Sequence, residues 1–151
     1  MGISIRNRQK RVRIETSKVR RAAEKILSAL GCSGCEVNFL VVDDEEITRF
    51  NRRYFQRNRP TNVISFPMGP EGPAPVKERI LGDVVISAET AERHASAVGG
   101  TAEEEIIFLM IHGVLHLLEY DHVGSKAERR EMEAKEKELF SLVVGAHRRS
   151  P

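Results

Sequence analysis

Tryptophan is absent, aromatic residues make up 5% of the 151 positions, and cysteine occurs only twice. So few rings imply a binding surface that relies on charge, metal or backbone rather than on aromatic platforms. Cys32 and Cys35 form a C-x-x-C pair in Gly31-Cys-Ser-Gly-Cys. A structural zinc site of that type needs four ligands, and there is no second pair. A redox pair would sit where a strand enters a helix, whereas this pair follows a helical pattern and enters an apolar run. Turn formation and core packing explain it. The lack of other cysteines fits a reducing, intracellular setting. No apolar run reaches the ~18 residues of a membrane span. The basic start of the chain also lacks the apolar stretch of a secretory signal. No membrane partner is expected.

A chain of this length is most simply one domain, 1–151. Its hydrophobic fraction is 40% and its charged fraction 30%, the composition of a globular protein, and the formal net charge is +2. The charge is unevenly placed. Arg6, Arg8, Lys10, Arg11, Arg13, Lys18, Arg20, Arg21 and Lys25 crowd the start against Glu15 and Glu24. Arg49, Arg52, Arg53, Arg57 and Arg59 follow with no acid between them. Such stretches either form a solvated face or a patch for polyanions.

Periodicity supplies the elements. Ile3 to Arg13 alternates in part and suits an edge strand. Thr16 to Leu30 has helical spacing, with Thr16 or Ser17 to cap it and Gly31 to end it. Cys35 to Val42 is a β-branched run. Asp43 to Glu46 puts acids at the start of a helix running to about Tyr54, with Ile47 and Phe50 inward. Asn62 to Phe66 and Ile80 to Ser87 suit strands. Pro67 to Lys77, with four prolines and two glycines, is a loop. A helix to Val98 ends at Gly99-Gly100. Thr101 and Glu104 then form a capping-box pattern. The helix they open, Ala102 to about Leu118, is apolar on most faces and belongs in the middle of the protein. Ser125 to Val144 suits a surface helix with Met132, Leu139, Leu142 and Val143 inward. These elements predict an α+β fold with a small mixed sheet packed against helices.

His112-Gly-Val-Leu-His116-Leu-Leu-Glu-Tyr-Asp-His122 places three of the five histidines within eleven residues. His112 and His116, four apart on a helix, share a face one turn apart. His122 follows with room to turn back. Three imidazoles and an open fourth position suit a catalytic zinc, whereas packing alone accounts poorly for three such rings. The H-E-x-x-H peptidase pattern carries its base after the first histidine. Here that residue is Gly113, so a peptidase reading loses its base. Asp121 and Glu119 are the nearby acids; Asp121 either orients a histidine or serves a turn. His94 and His147 read as surface residues.

The histidine stretch resembles the signature H-G-x-L-H-L-x-G-Y-D-H of the YbeY family of bacterial endoribonucleases. Phe50-Asn-Arg-Arg-Tyr-Phe-Gln-Arg-Asn-Arg-Pro-Thr-Asn-Val-Ile-Ser-Phe-Pro67 resembles a second family block, and Leu81-Gly-Asp-Val-Val-Ile-Ser87 a third. The resemblance covers most of the chain. It implies a zincin-like histidine helix, with one zinc ion per chain on His112, His116 and His122. It also implies metal-dependent cleavage of single-stranded RNA, a role in maturing the three-prime end of small-subunit (16S) ribosomal RNA, and ribosome quality control. Ribosomal RNA and the ribosome would be its partners. Asp121 and Arg59 are then candidate catalytic residues, and Arg52, Arg53, Arg57 and Arg59 candidate RNA contacts. The chain departs from the family pattern at Phe55, where the family has an arginine, at Asn58 for aspartate and at Glu119 for glycine. The alternatives are a hydrolase of another bond, a zinc-containing ribosome assembly factor with little or no nuclease activity, and a plain RNA-binding module.

Overall fold

The computed structural model describes residues 2–67, 80–118 and 125–144. The described chain runs β1 (Ile3–Asn7), α1 (Thr16–Ala29), β2 (Glu36–Val42), α2 (Asp44–Phe55), β3 (Val63–Pro67), β4 (Ile80–Ser87), α3 (Ala88–Val98), α4 (Ala102–Leu117) and α5 (Lys126–Val143). The four strands form one mixed sheet in the order β1-β2-β4-β3. β1 and β4 run parallel to β2, and β3 is antiparallel to β4. This is the mixed α+β fold expected from the sequence.

β1 is an edge strand but stops well before Arg13. The buried side chain of Gln9 ends it. Its carbonyl oxygen accepts from the backbone N–H groups of Arg11 and Val12. Its amide donates to the Val12 carbonyl at 2.9 Å. A side chain that satisfies the backbone locally removes the need for ladder bonds. α1 has neither Thr16 nor Ser17 as its cap. Glu15 holds that position without a side-chain bond. Here the start is set by packing, since Val19, Ala22, Ala23, Ile26 and Leu27 are all buried.

The two faces of the sheet differ. Val37, Phe39 and Val41 of β2 and Val84 and Ile86 of β4 face the main core with α1, α4 and α5. The alternate residues Val42, Val85 and Ile64 pack with Ile47 of α2, and Leu40, Phe50 and Phe66 border them. α4 runs through the main core, with Ile106, Met110, Ile111, Val114 and Leu115 fully buried. Each such side chain contributes about 1.5–3 kcal/mol on burial, which fixes this helix firmly. Its capping box, Thr101 with Glu104, is formed. In α5, Met132 and Leu139 are buried and Val143 is partly so. Leu142 is exposed instead of inward, and Phe140 takes the core position. Cys32 and Cys35 are both buried, and the Cys35 N–H closes a turn onto the Cys32 carbonyl. The proline-rich loop lies outside the described residues except for Pro67. Among the described residues no helix is long and apolar enough to cross a membrane.

Candidate active site

α4 lies against β3 and β4 at Gly113. A Cβ added there would fall 2.4 Å from Val84 Cγ1 and 3.2 Å from Ser65 Oγ. Real Cβ atoms do not approach that closely, so any larger residue at this seat must displace Val84. Ser65 Oγ donates to the Gly113 carbonyl at 3.1 Å, tying β3 to the helix. A glutamate at position 113, as in the H-E-x-x-H pattern, would have to push Val84 aside.

The residues on either side of this contact turn His112 and His116 to one cavity. Their ring centroids are 4.6 Å apart. The cavity holds about 350 Å³ and is lined by both histidines with Asn51, Phe55, Arg57, Thr61, Val63, Ile64, Ser65 and Pro67. It therefore joins the histidine helix to the arginine-rich stretch, more than fifty residues earlier in the chain.

A residue without a sequence-level assignment completes the histidine arrangement. Glu136, buried on α5, bonds His112 Nδ1 through its Oε2. An ionised carboxylate only accepts, so Nδ1 carries the hydrogen and a neutral ring keeps its lone pair on Nε2. A carboxylate behind an imidazole is the arrangement that orients metal-binding histidines. The sequence did carry a signal. Glu136 stands four after Met132 and three before Leu139, so it interrupts the apolar stripe of α5. His112 and His116 fit a metal in type and spacing, and both line one cavity. His122, Asp121 and Glu119 lie outside the described residues. Among the described residues no group of three His, Cys, Asp or Glu side chains is gathered for an ion.

The rim of the cavity is built by the end of α2. Gln56 takes a left-handed conformation, φ 56°, and reverses the chain. Asn51, buried, holds the turn at two points. Its carbonyl accepts from Arg57 N–H at 3.3 Å, and its side-chain amide donates to the Arg59 carbonyl at 2.9 Å. The other end of α2 is also fixed. Asp44 accepts from Ser87 Oγ at 2.6 Å, Thr90 Oγ1 at 2.7 Å and Arg93 at 2.9 Å. Burial alone would raise the pKa of this carboxyl. The bonds from Ser87, Thr90 and Arg93 outweigh burial and hold it below its ordinary value.

The candidate arginines are thereby separated. Arg57 lines the cavity. Arg52 donates to Asn58 Oδ1 at 2.9 Å, and Arg53 lies over the Tyr54 ring at 5.6 Å. Arg59 supports the turn through its carbonyl and is not among the described lining residues. The N-terminal basic stretch is partly neutralised. Arg8 pairs with Glu46, Arg11 approaches Glu89 at 3.6 Å, and Lys18 meets Glu103 at 3.1 Å. His94 is exposed on α3, 3.9 Å from Glu105, away from the cavity. His147 lies outside the described residues.

Three comparisons bear on this arrangement. A family model described as Endoribonuclease YbeY matches residues 4–143. The Endoribonuclease YbeY of Syntrophus aciditrophicus is 44% identical over 146 residues, 96% of this chain and 91% of its own. That of Geobacter sulfurreducens is 46% identical over 144 residues, 95% and 96% of the two chains. The Aquifex aeolicus protein of that name is 41% identical over 137 residues, 91% and 89%. The solution structure of TM1509 from Thermotoga maritima superposes with a TM-score of 0.67 at 27% identity, covering 97% of this chain and 91% of that one.

Proposed function

The chain belongs to the YbeY endoribonuclease family, and from that premise we propose that it is a metal-dependent endoribonuclease acting on single-stranded RNA. One observation carries the reading: two histidines one turn apart face a cavity that also holds Arg57, with a buried carboxylate fixing one ring from behind.

His112, His116 and His122 would hold one zinc ion on a zincin-like helix. When bound, such an ion lowers the pKa of a water and neutralises charge developing on phosphate oxygens. The protein's own groups do the rest. Glu136 holds His112 in one tautomer. Gly113 and Ser65 set how far α4 stands from β3. Arg57 places a guanidinium where a phosphate enters, and charge-assisted bonds of that kind are strong. Arg52, Arg53 and Arg59 are not among the described lining residues and would contact RNA outside the cavity. Asp121, adjacent to His122 in sequence, is the candidate for proton transfer. The biological substrate is the three-prime end of small-subunit (16S) ribosomal RNA, processed on the ribosome in the cytoplasm, with a part in ribosome quality control.

Phe55 favours a second reading. It stands where the family carries an arginine, and a site short of that charge fits a zinc-containing assembly factor with weak or no nuclease activity. The test is incubation of single-stranded RNA with the intact protein, a chelated sample and His116→Ala. Cleavage that vanishes in both controls supports the nuclease. A folded, zinc-loaded protein that associates with ribosomes and cuts no RNA supports the assembly factor. Product ends then separate two chemistries. A 2′,3′-cyclic phosphate means that the RNA 2′-hydroxyl attacks, and 3′-hydroxyl with 5′-phosphate ends mean that water does.

A further inference from the structure

Phe55 is 47% exposed on the rim of the histidine cavity. Isolated exposed apolar side chains, such as Leu142 on α5, are ordinary and call for no explanation. Phe55 differs in what surrounds it. It lines the same cavity as His112, His116 and Arg57. Its ring stacks against Phe66, with centroids 6.4 Å apart and planes 29° apart, so packing fixes its orientation. Phe66 is in turn braced edge-on by Tyr54 at 5.0 Å. In a chain with eight Phe and Tyr in all, six and two, four of them, Phe50, Tyr54, Phe55 and Phe66, are gathered here, so scarcity of rings in the whole chain does not exclude an aromatic platform at this one place. The left-handed turn at Gln56 then sets Arg57 immediately beyond the ring, on a loop fastened by Asn51.

A half-exposed ring and an arginine lining one cavity are what one nucleotide requires: a flat face for the base and a positive charge for its phosphate. Base–aromatic stacking tolerates any base but needs that base unpaired. We propose that Phe55 is a base-stacking platform, seating one unpaired nucleobase at the mouth of the cavity while Arg57 holds the adjoining phosphate. This rests on the RNA-cleaving reading. It deepens that reading by giving a physical source for single-strand selectivity. It also gives position 55 a role specific to this chain, because the family pattern has arginine there.

The test pairs protein variants with abasic substrates. Single-stranded RNAs carrying one abasic nucleotide at successive positions are compared between wild type, Phe55→Ala, Phe55→Trp and Phe55→Leu. In wild type, one abasic position near the cut raises KM about tenfold, within the range for loss of one base–aromatic stack. Phe55→Ala raises KM by a similar factor on intact RNA and no longer senses that abasic position. Phe55→Trp restores both properties, whereas Phe55→Leu, apolar without a ring, restores neither. Binding is read separately with 2-aminopurine at the same position, whose fluorescence is quenched on stacking in wild type and not in Phe55→Ala. The proposal is overturned if Phe55→Ala keeps the wild-type KM, abasic sensitivity and quenching. Quenching without cleavage by wild type would instead sink the nuclease reading and leave the platform standing.

Discussion

Gly113 decides how closely α4 approaches the sheet, and its effect is measurable. Alanine is favoured over glycine in a helix by about 1 kcal/mol. Against that, the added methyl must displace Val84, which sits 2.4 Å from the new atom. Overpacking a core costs about 1–3 kcal/mol, so Gly113→Ala is expected to destabilise the protein on balance. Val84→Ala makes room for the methyl, so urea unfolding of the double variant should show less destabilisation than the two single losses added. Strict additivity would mean that the two residues do not meet. Glu136 acts through His112 instead. Glu136→Gln keeps the shape but removes the charged acceptor, and loss of such partners lowers metal affinity about 10–100-fold. Zinc competition against a chelating dye reads this directly, and an unchanged affinity would reduce Glu136 to a packing residue. Spacing alone shows that His112 and His116 share a face. Among the glutamates of α5, spacing marks Glu136 as the one on the Met132–Leu139 stripe, but that it meets His112 follows only from the packing of α5 on α4.

Among the elements, α2 carries most of the consequence for the site. Its start is tied to β4 and α3 through Asp44, and its end presents Phe55 and Arg57. The folded-state pKa of Asp44 lies below its ordinary 3.8. Its stabilising effect is therefore fully present above that value and fades as the pH falls through the lower folded value. The stability gap between wild type and Asp44→Asn should be steady near neutrality and shrink below about pH 4, as read by urea unfolding across pH. A gap that widened toward acid would reverse the assignment. At the other end, Asn51→Ala strips one bond from the turn, the side-chain amide's to the Arg59 carbonyl, and leaves the backbone bond from Arg57 in place. Loss of one such part-buried hydrogen bond costs about 0.5–1.5 kcal/mol, and both RNA affinity and melting temperature should fall together. Helix and strand positions were legible in the sequence because most bury one regular face: β4 runs from Ile80 to Ser87 as read, and α4 starts at its capping box. The short β1 was less legible, because a glutamine side chain ends it rather than a proline or glycine. The turn at Gln56 was hidden for the same reason. A non-glycine residue in the left-handed region leaves no mark in the sequence, so nothing singled out Arg57 from its four neighbouring arginines.

For the whole molecule, the fold brings together two segments that the sequence keeps apart. α4 supplies the histidines from the core, and α2 supplies the rim from the opposite face, with β3 between them. The positive charge is also redistributed, since acids on α2, α3 and α4 meet the N-terminal basic stretch while Arg57 stays at the cavity. Phosphate contacts give a salt dependence of about −0.7 per contact in log K against log salt for single strands. Arg57→Ala should reduce the slope of RNA binding by about that amount, and Arg11→Ala, at the Glu89 pair, should leave it unchanged. Equal slopes for wild type and Arg57→Ala would remove Arg57 from the phosphate site. The most direct measurement uses a closed circle of single-stranded RNA, which offers no ends. The intact protein should linearise it, and the chelated protein and His116→Ala should not. A circle left intact by folded, zinc-loaded protein, or cut equally well after chelation, would contradict a metal-dependent endoribonuclease.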